Sequence, residues 1–141
     1  MKNQFKSHQF FVLITLLLSA MLMFSQAATA AEVTGTFTKK YQKITGEWKI
    51  VKDADGAKLV LGSDFKTRKA PDLKFILTNA DVADMTGENA MNGAVIISPL
   101  KSNKGEQVYV LPENFTDYKT LALHCEQFSK LWGATDISAA K

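Results

Sequence analysis

The chain has 141 residues, 46% hydrophobic and 22% charged, with 17 basic against 14 acidic side chains. That length suits one domain with one core. A net charge of +3 makes no electrostatic case for nucleic acid or for an anionic membrane surface.

Lys2 and Lys6 precede an apolar run from Phe10 to Phe24, broken only by Thr15 and Ser19. Ser25, Gln26 and the small-residue stretch AATAA follow. Positive, then apolar, then small is the layout of a secretory signal. Ala28-Thr29-Ala30 fits the A-x-A cleavage rule, so residues 1 to 30 are expected to be removed, leaving Ala31 as the N-terminus. The alternative is a permanent anchor, but the run is shorter than the ~20 apolar residues that a spanning helix needs. The processed chain, residues 31 to 141, is therefore expected in the periplasm or the medium as a single domain without a membrane span. Loss of Lys2 and Lys6 brings it close to neutral.

Beyond the signal, short alternating segments are separated by turn residues. Val33 to Phe37 reads as a first strand. Ile44, Gly46, Trp48 and Ile50 share one parity and Thr45, Glu47 and Lys49 the other, the period of a half-buried strand. Asp55-Gly56 then predicts a hairpin into Lys58 to Leu61, because such a turn needs positive φ. Lys66-Thr67-Arg68-Lys69 is the one basic run and reads as a solvated loop. Leu73, Phe75 and Leu77 alternate against Lys74 and Thr78. Ala80 to Met91, with Gly87 inside it, reads as a polar loop with room for a helical turn. Further strands are predicted at Val95 to Ile97, Val108 to Leu111, Tyr118 to Cys125 and Phe128 to Trp132. Seven to eight short strands without a helical period predict an all-β fold, an antiparallel sandwich or barrel.

Counting residues narrows the chemistry. The chain has one cysteine, Cys125, and the domain has one histidine, His124, since His8 lies in the signal. A blue-copper site needs two histidines beside its cysteine. Zinc takes four N or S ligands, covalent haem needs C-x-x-C-H, and disulfide exchange uses C-x-x-C. None of these sets is present, so no metal ligand is assigned. His124 and Cys125 are adjacent, and successive side chains on a strand point to opposite faces. Parity places Cys125 with Leu121 and Leu123 on the core side, and His124 with Thr120 and Ala122 on a face expected to be exposed. Cys125 has three readings: a buried small hydrophobe, a redox group, or half of an interchain disulfide. No nucleophile-elbow motif surrounds a serine, so no catalytic residue is assigned. Asp81, Asp84 and Glu88 lack the spacing of a calcium loop and read as solvated. Asn114-Phe115-Thr116 is a glycosylation sequon in a eukaryotic setting.

Pro71 fits a strand entrance, Asp72 a turn that bonds nearby backbone, Gly105 the close of a loop begun at Lys101, and Pro112 a strand end. Tyr109 fits a core position with its hydroxyl sent to a buried backbone partner. These residues belong to three segments, APDLKFIL from Ala70, GEQVYVLP from Gly105 and HCEQFSKLWGA from His124. In that order the segments resemble the DM-thirteen domain, a family proposed to act in electron transfer. The resemblance runs from about Gly35 to Ile137 and carries Pro71, Asp72, Gly105, Gln107, Tyr109, Pro112 and Phe128 as motif residues. It implies a redox role for Cys125 and a redox protein as partner. It departs from the family at His124, where relatives often place a tryptophan. The isolated domain is expected to hold no cofactor, since ligand sets for copper, clusters and dinucleotides are missing. Non-covalent haem on Cys125, His124, Met85 or Met91 is the one route left open.

Overall fold

The structure, a computed structural model, describes residues 31–141. The expected signal at residues 1 to 30 lies outside them. Eleven strands run through the described residues. In chain order they are β1 Ala31–Thr36, β2 Thr38–Lys39, β3 Ile44–Thr45, β4 Glu47–Asp53, β5 Gly56–Leu61 and β6 Lys66–Thr67. There follow β7 Leu73–Thr78, β8 Val95–Pro99, β9 Gln107–Val110, β10 Thr120–Cys125 and β11 Lys130–Asp136. The pairs are antiparallel, in a four-stranded sheet β1-β4-β5-β9, a five-stranded sheet β2-β11-β10-β7-β8 and a ribbon β3-β6. Neither large sheet closes on itself, so the fold is a sandwich and not a barrel.

Strands exceed the expected number because β2, β3 and β6 are two-residue pieces too short to show alternation. The segment expected as one strand from Ile44 to Ile50 is broken at Gly46. Its φ of 102° suits glycine, and a Cβ there would lie 2.4 Å from Phe65 Cα. The break sends Ile44 and Thr45 to β6 and leaves β4 free to pair with β1 and β5. At the next turn Asp53 pairs with Gly56, and only Gly56 takes a positive φ, 114°. The hairpin therefore forms where Asp55-Gly56 predicted it.

One core lies between the sheets. Trp48, Ile50, Leu59, Leu61 and Tyr109 come from the first sheet, and Leu73, Phe75, Leu77, Leu121, Leu123 and Trp132 from the second. Phe75 is fully buried, stacks on Phe37 at 6.0 Å and meets the Tyr109 ring edge-on at 5.0 Å. Burying a side chain of that class contributes about 1.5–3 kcal/mol. A second, smaller core covers the other face of the five-stranded sheet. There Met85 and Ala90, from the segment between β7 and β8, pack on Ile76, Ala122, Leu131 and Ala134. That segment holds only turns. Met85 N–H bonds to Asp81 O, and Ala90 N–H to Thr86 O, both at 3.1 Å, as isolated helical turns. No helix of the described residues is long and apolar enough to cross a membrane.

Candidate functional site

Pro71 and Asp72 form the turn that opens β7, as their chemistry predicted. The backbone there is held from both sides. Glu126 N–H donates to Asp72 O at 3.2 Å, and Leu100 N–H donates to Leu73 O at 2.8 Å. The Asp72 carboxylate, expected to bond nearby backbone, pairs instead with Lys74 Nζ at 3.3 Å, and Lys74 also pairs with Glu126. Those two carboxylates raise the Lys74 pKa, the bond to Glu126 most strongly.

The loop between β8 and β9 is clamped by two buried side chains of β9. Gln107 Oε1 accepts from Ser102 N–H at 2.8 Å, and its Nε2 donates to Ser102 O at 2.9 Å and Gly105 O at 3.2 Å. The Tyr109 hydroxyl donates to Gln107 Oε1 at 2.7 Å and accepts from Lys101 N–H at 3.0 Å. So the buried hydroxyl does find backbone, through an amide side chain on one side. Burial raises the Tyr109 pKa, partly offset by the Lys101 N–H. Lys101 Nζ lies 4.7 Å from the centre of the same ring. Gly105, with φ of 82°, closes the loop and sends its N–H to Phe65 O at 2.9 Å. Between this loop and the turn before β7 runs a groove of about 370 Å³, lined by Lys69, Pro71, Asp72, Lys101, Ser102 and Asn103 among others.

Cys125 is the last residue of β10 and pairs directly with Leu73 of β7. It is a free cysteine, fully buried in the main core beside the parity partners Leu121 and Leu123. Three irregularities surround it. The β10–β11 register shifts between Leu123 and His124, β10 ends in a 3-10 turn at Glu126–Phe128, and Ser129 takes a left-handed φ of 49°. Phe128 was expected to begin the last strand. It sits in that turn at 55% exposed, and β11 starts only at Lys130. Pro112 follows the end of β9, where Leu111 N–H bonds Ala57 O, so it lies at the opposite end of β9 from Gln107.

His124 departs from expectation. Its face of β10 is not exposed, because the segment between β7 and β8 covers it, and His124 retains only 2% of its surface. Nε2–H donates to Gly87 O at 2.8 Å, the one role a ring nitrogen can take toward a carbonyl, and Nδ1 has no partner among the described residues. Gly87 is required at this contact, since a Cβ there would fall 1.8 Å from Ser129 O. The sequence signal for this covered face was weak but present: Ile76 and Ala122 are apolar positions on the parity read as outer, while Leu131 and Ala134 reach the same face only through the β10–β11 register shift. Met85 belongs to the segment that covers His124 and is buried on that face of the sheet, while Cys125 lies in the core on the opposite side. Asp81 pairs with Lys119 at 2.8 Å, and hydrogen bonds from its own backbone and from Thr86 hold Glu88 below the usual carboxylate range. Among the described residues no three His, Cys, Asp or Glu side chains converge as metal ligands would.

Neither the curated proteins nor the solved structures offer a match to this chain. A family model described as Electron transfer DM13 matches residues 36–137, from the last residue of β1 to the residue after β11. That span includes all three motif segments, the clamped loop and Cys125. The chain belongs to the Electron transfer DM13 family.

Proposed function

We propose that the chain is an exported accessory module of electron transfer, in which a redox protein docks at the corner around Asp72 and exchanges electrons through Cys125. The observation that carries this reading is the meeting of the three motif segments at one place. Asp72 and Leu73 bond or pair with Glu126 and Cys125, while Gln107 and Tyr109 hold the opposite wall of the same groove. Family membership supports the electron-transfer role.

A lone thiol cycles reversibly by joining a second sulfur. In the step proposed, Cys125 Sγ and a partner thiol form one disulfide bond. Two protons leave to solvent, and two electrons pass to an accepting centre on the partner. The reverse step takes up both and restores the thiols. The domain carries no chromophore in this reading, so the partner supplies the centre that is stable in two oxidation states. Non-covalent haem fits the residues poorly. His124 Nε2 is committed to Gly87 O, and Cys125 lies across the sheet from His124 and Met85.

Burial sets a condition on this step, because thiol chemistry needs access. The register shift, the 3-10 turn and the left-handed Ser129 make the end of β10 the natural place for local opening. The same burial favours a second reading, a binding domain in which Cys125 only fills the core. Thiol labelling of the native protein separates the two, since Cys125 is the chain's one cysteine. Redox use expects labelling slower than for a denatured control yet well above the rate of global unfolding. A labelling rate no faster than global unfolding would assign Cys125 to the core alone.

A further inference from the structure

The basic run Lys66 to Lys69, read from sequence as a solvated loop, is built into a larger arrangement. β6 pairs with β3 on one side, Ile44 with Thr67 and Thr45 with Lys66. On the other side Lys66 bridges to Lys104. Thr67 N–H donates to Asn103 O at 2.9 Å, Asn103 Nδ2 returns to Thr67 O at 3.2 Å, and Thr67 Oγ1 reaches Lys43 O at 3.1 Å. Three distant segments are thereby knitted into one corner that exposes Lys43, Lys66, Arg68, Lys69, Lys101 and Lys104.

Those six cations make no ion pair with the described residues, while Lys49, Lys58, Lys74 and Lys119 elsewhere are paired. Asp72, the acid within the corner's groove, is taken by Lys74. In a chain whose total excess is three charges, such a concentration is local. Unpaired like charges held together repel one another, and a negative partner relieves that repulsion. Lys69 and Lys101 line the groove of about 370 Å³ whose other wall is the turn at Pro71 and Asp72.

We infer that this corner is a docking surface for a protein partner that presents a carboxylate-rich segment, one acidic side chain entering the groove between Lys69 and Lys101. The inference rests on the electron-transfer reading for the partner's redox character, but the surface is argued from charge and shape alone. A concave groove favours a projecting segment over a flat anionic bilayer. The exposed aromatics Tyr41 and Phe128 do not line it, which removes the stacking platforms that single-stranded nucleic acid uses.

The test is binding of a fluorescent oligo-glutamate peptide to the purified, exported protein at low and physiological salt. Binding is expected to weaken with salt and to fall about tenfold or more in a Lys66→Glu/Lys69→Glu/Lys104→Glu variant. A Lys39→Glu/Lys141→Glu variant, with its changes outside this corner, is expected to bind as wild type. Amide shifts on binding should centre on residues 66 to 72 and 99 to 104. No binding at low salt, equal loss in both variants, or tighter binding to phosphatidylserine vesicles or an oligonucleotide would each overturn the inference. Cys125→Ser tells the two proposals apart. If redox exchange with a partner proves absent but peptide binding keeps its charge dependence, the surface stands and the electron-transfer reading falls.

Discussion

At Tyr109 one hydroxyl joins a strand to a loop. It donates to Gln107 Oε1 and accepts from Lys101 N–H, inside a position with 2% of its surface exposed. Tyr109→Phe keeps the ring against Phe75 but takes the acceptor from the part-buried Lys101 N–H and the donor from Gln107 Oε1, at a cost of about 0.5–1.5 kcal/mol. Chemical denaturation should show that loss, together with faster amide exchange at Lys101 and Ser102. Burial also raises the Tyr109 pKa above its ordinary value of 10.0, so the folded state holds this proton more tightly than the unfolded chain. The stability linked to it is intact below about pH 10 and is lost as the pH rises through the folded pKa. A denaturation midpoint that falls more steeply above pH 10 in wild type than in Tyr109→Phe is the expected sign. Cys125→Ser belongs to the same scale. A hydroxyl placed among Leu73, Leu121 and Leu123 without a partner costs on the order of 1–3 kcal/mol.

Among the elements, the segment between β7 and β8 decides what β10 can do. It covers the outer face of the five-stranded sheet and is pinned through His124 and Gly87 O. His124→Ala removes that bond and leaves a void beneath the segment, so amide exchange across residues 80 to 94 should accelerate while β4 and β5 stay protected. Uniform acceleration of all strands would show that the segment is not a separate layer. Gly87→Ala should displace it as well, because the new Cβ meets Ser129 O at 1.8 Å and that backbone cannot step aside cheaply. Much of this level was legible in the sequence. Alternation in Ile44 to Ile50 and in Leu73 to Leu77 marked strands that lie in different sheets, and Asp55-Gly56 marked the hairpin from β4 to β5. What escaped were features set by tertiary contact. Gly46 breaks a strand only because Phe65 crosses it, and parity alone cannot say that an outer face will be covered by a loop. His124 was misplaced for that reason.

For the whole molecule, the three motif segments were readable one by one, each with a plain local role. Their meeting at the Asp72 corner was not, since it depends on β7 pairing with β10 and on β9 clamping a loop of the neighbouring sheet edge. Pro112 belongs to the same segments yet lies beyond the far end of β9, and Phe128, in the turn with Glu126, does not line the groove. The proposed export would set the environment in which the corner acts. Mass spectrometry of the protein from the periplasm or medium should find Ala31 as the first residue, and an intact Met1 in the membrane fraction would contradict processing. The same preparation should show no visible absorption band. A band that disappears in Cys125→Ala would place a bound chromophore in the domain itself.

The most direct test of electron transfer through Cys125 is its oxidation state inside producing cells. Cells are quenched in acid, free thiols are alkylated under denaturing conditions, the protein is reduced, and newly released thiols receive a second label of different mass. The expected result is a fraction of Cys125 carrying the second label. That fraction should change when the culture shifts between oxidising and reducing conditions, and non-reducing separation should show it joined to another protein. Cys125 found wholly as free thiol under every condition would contradict the account and leave it a residue of the core.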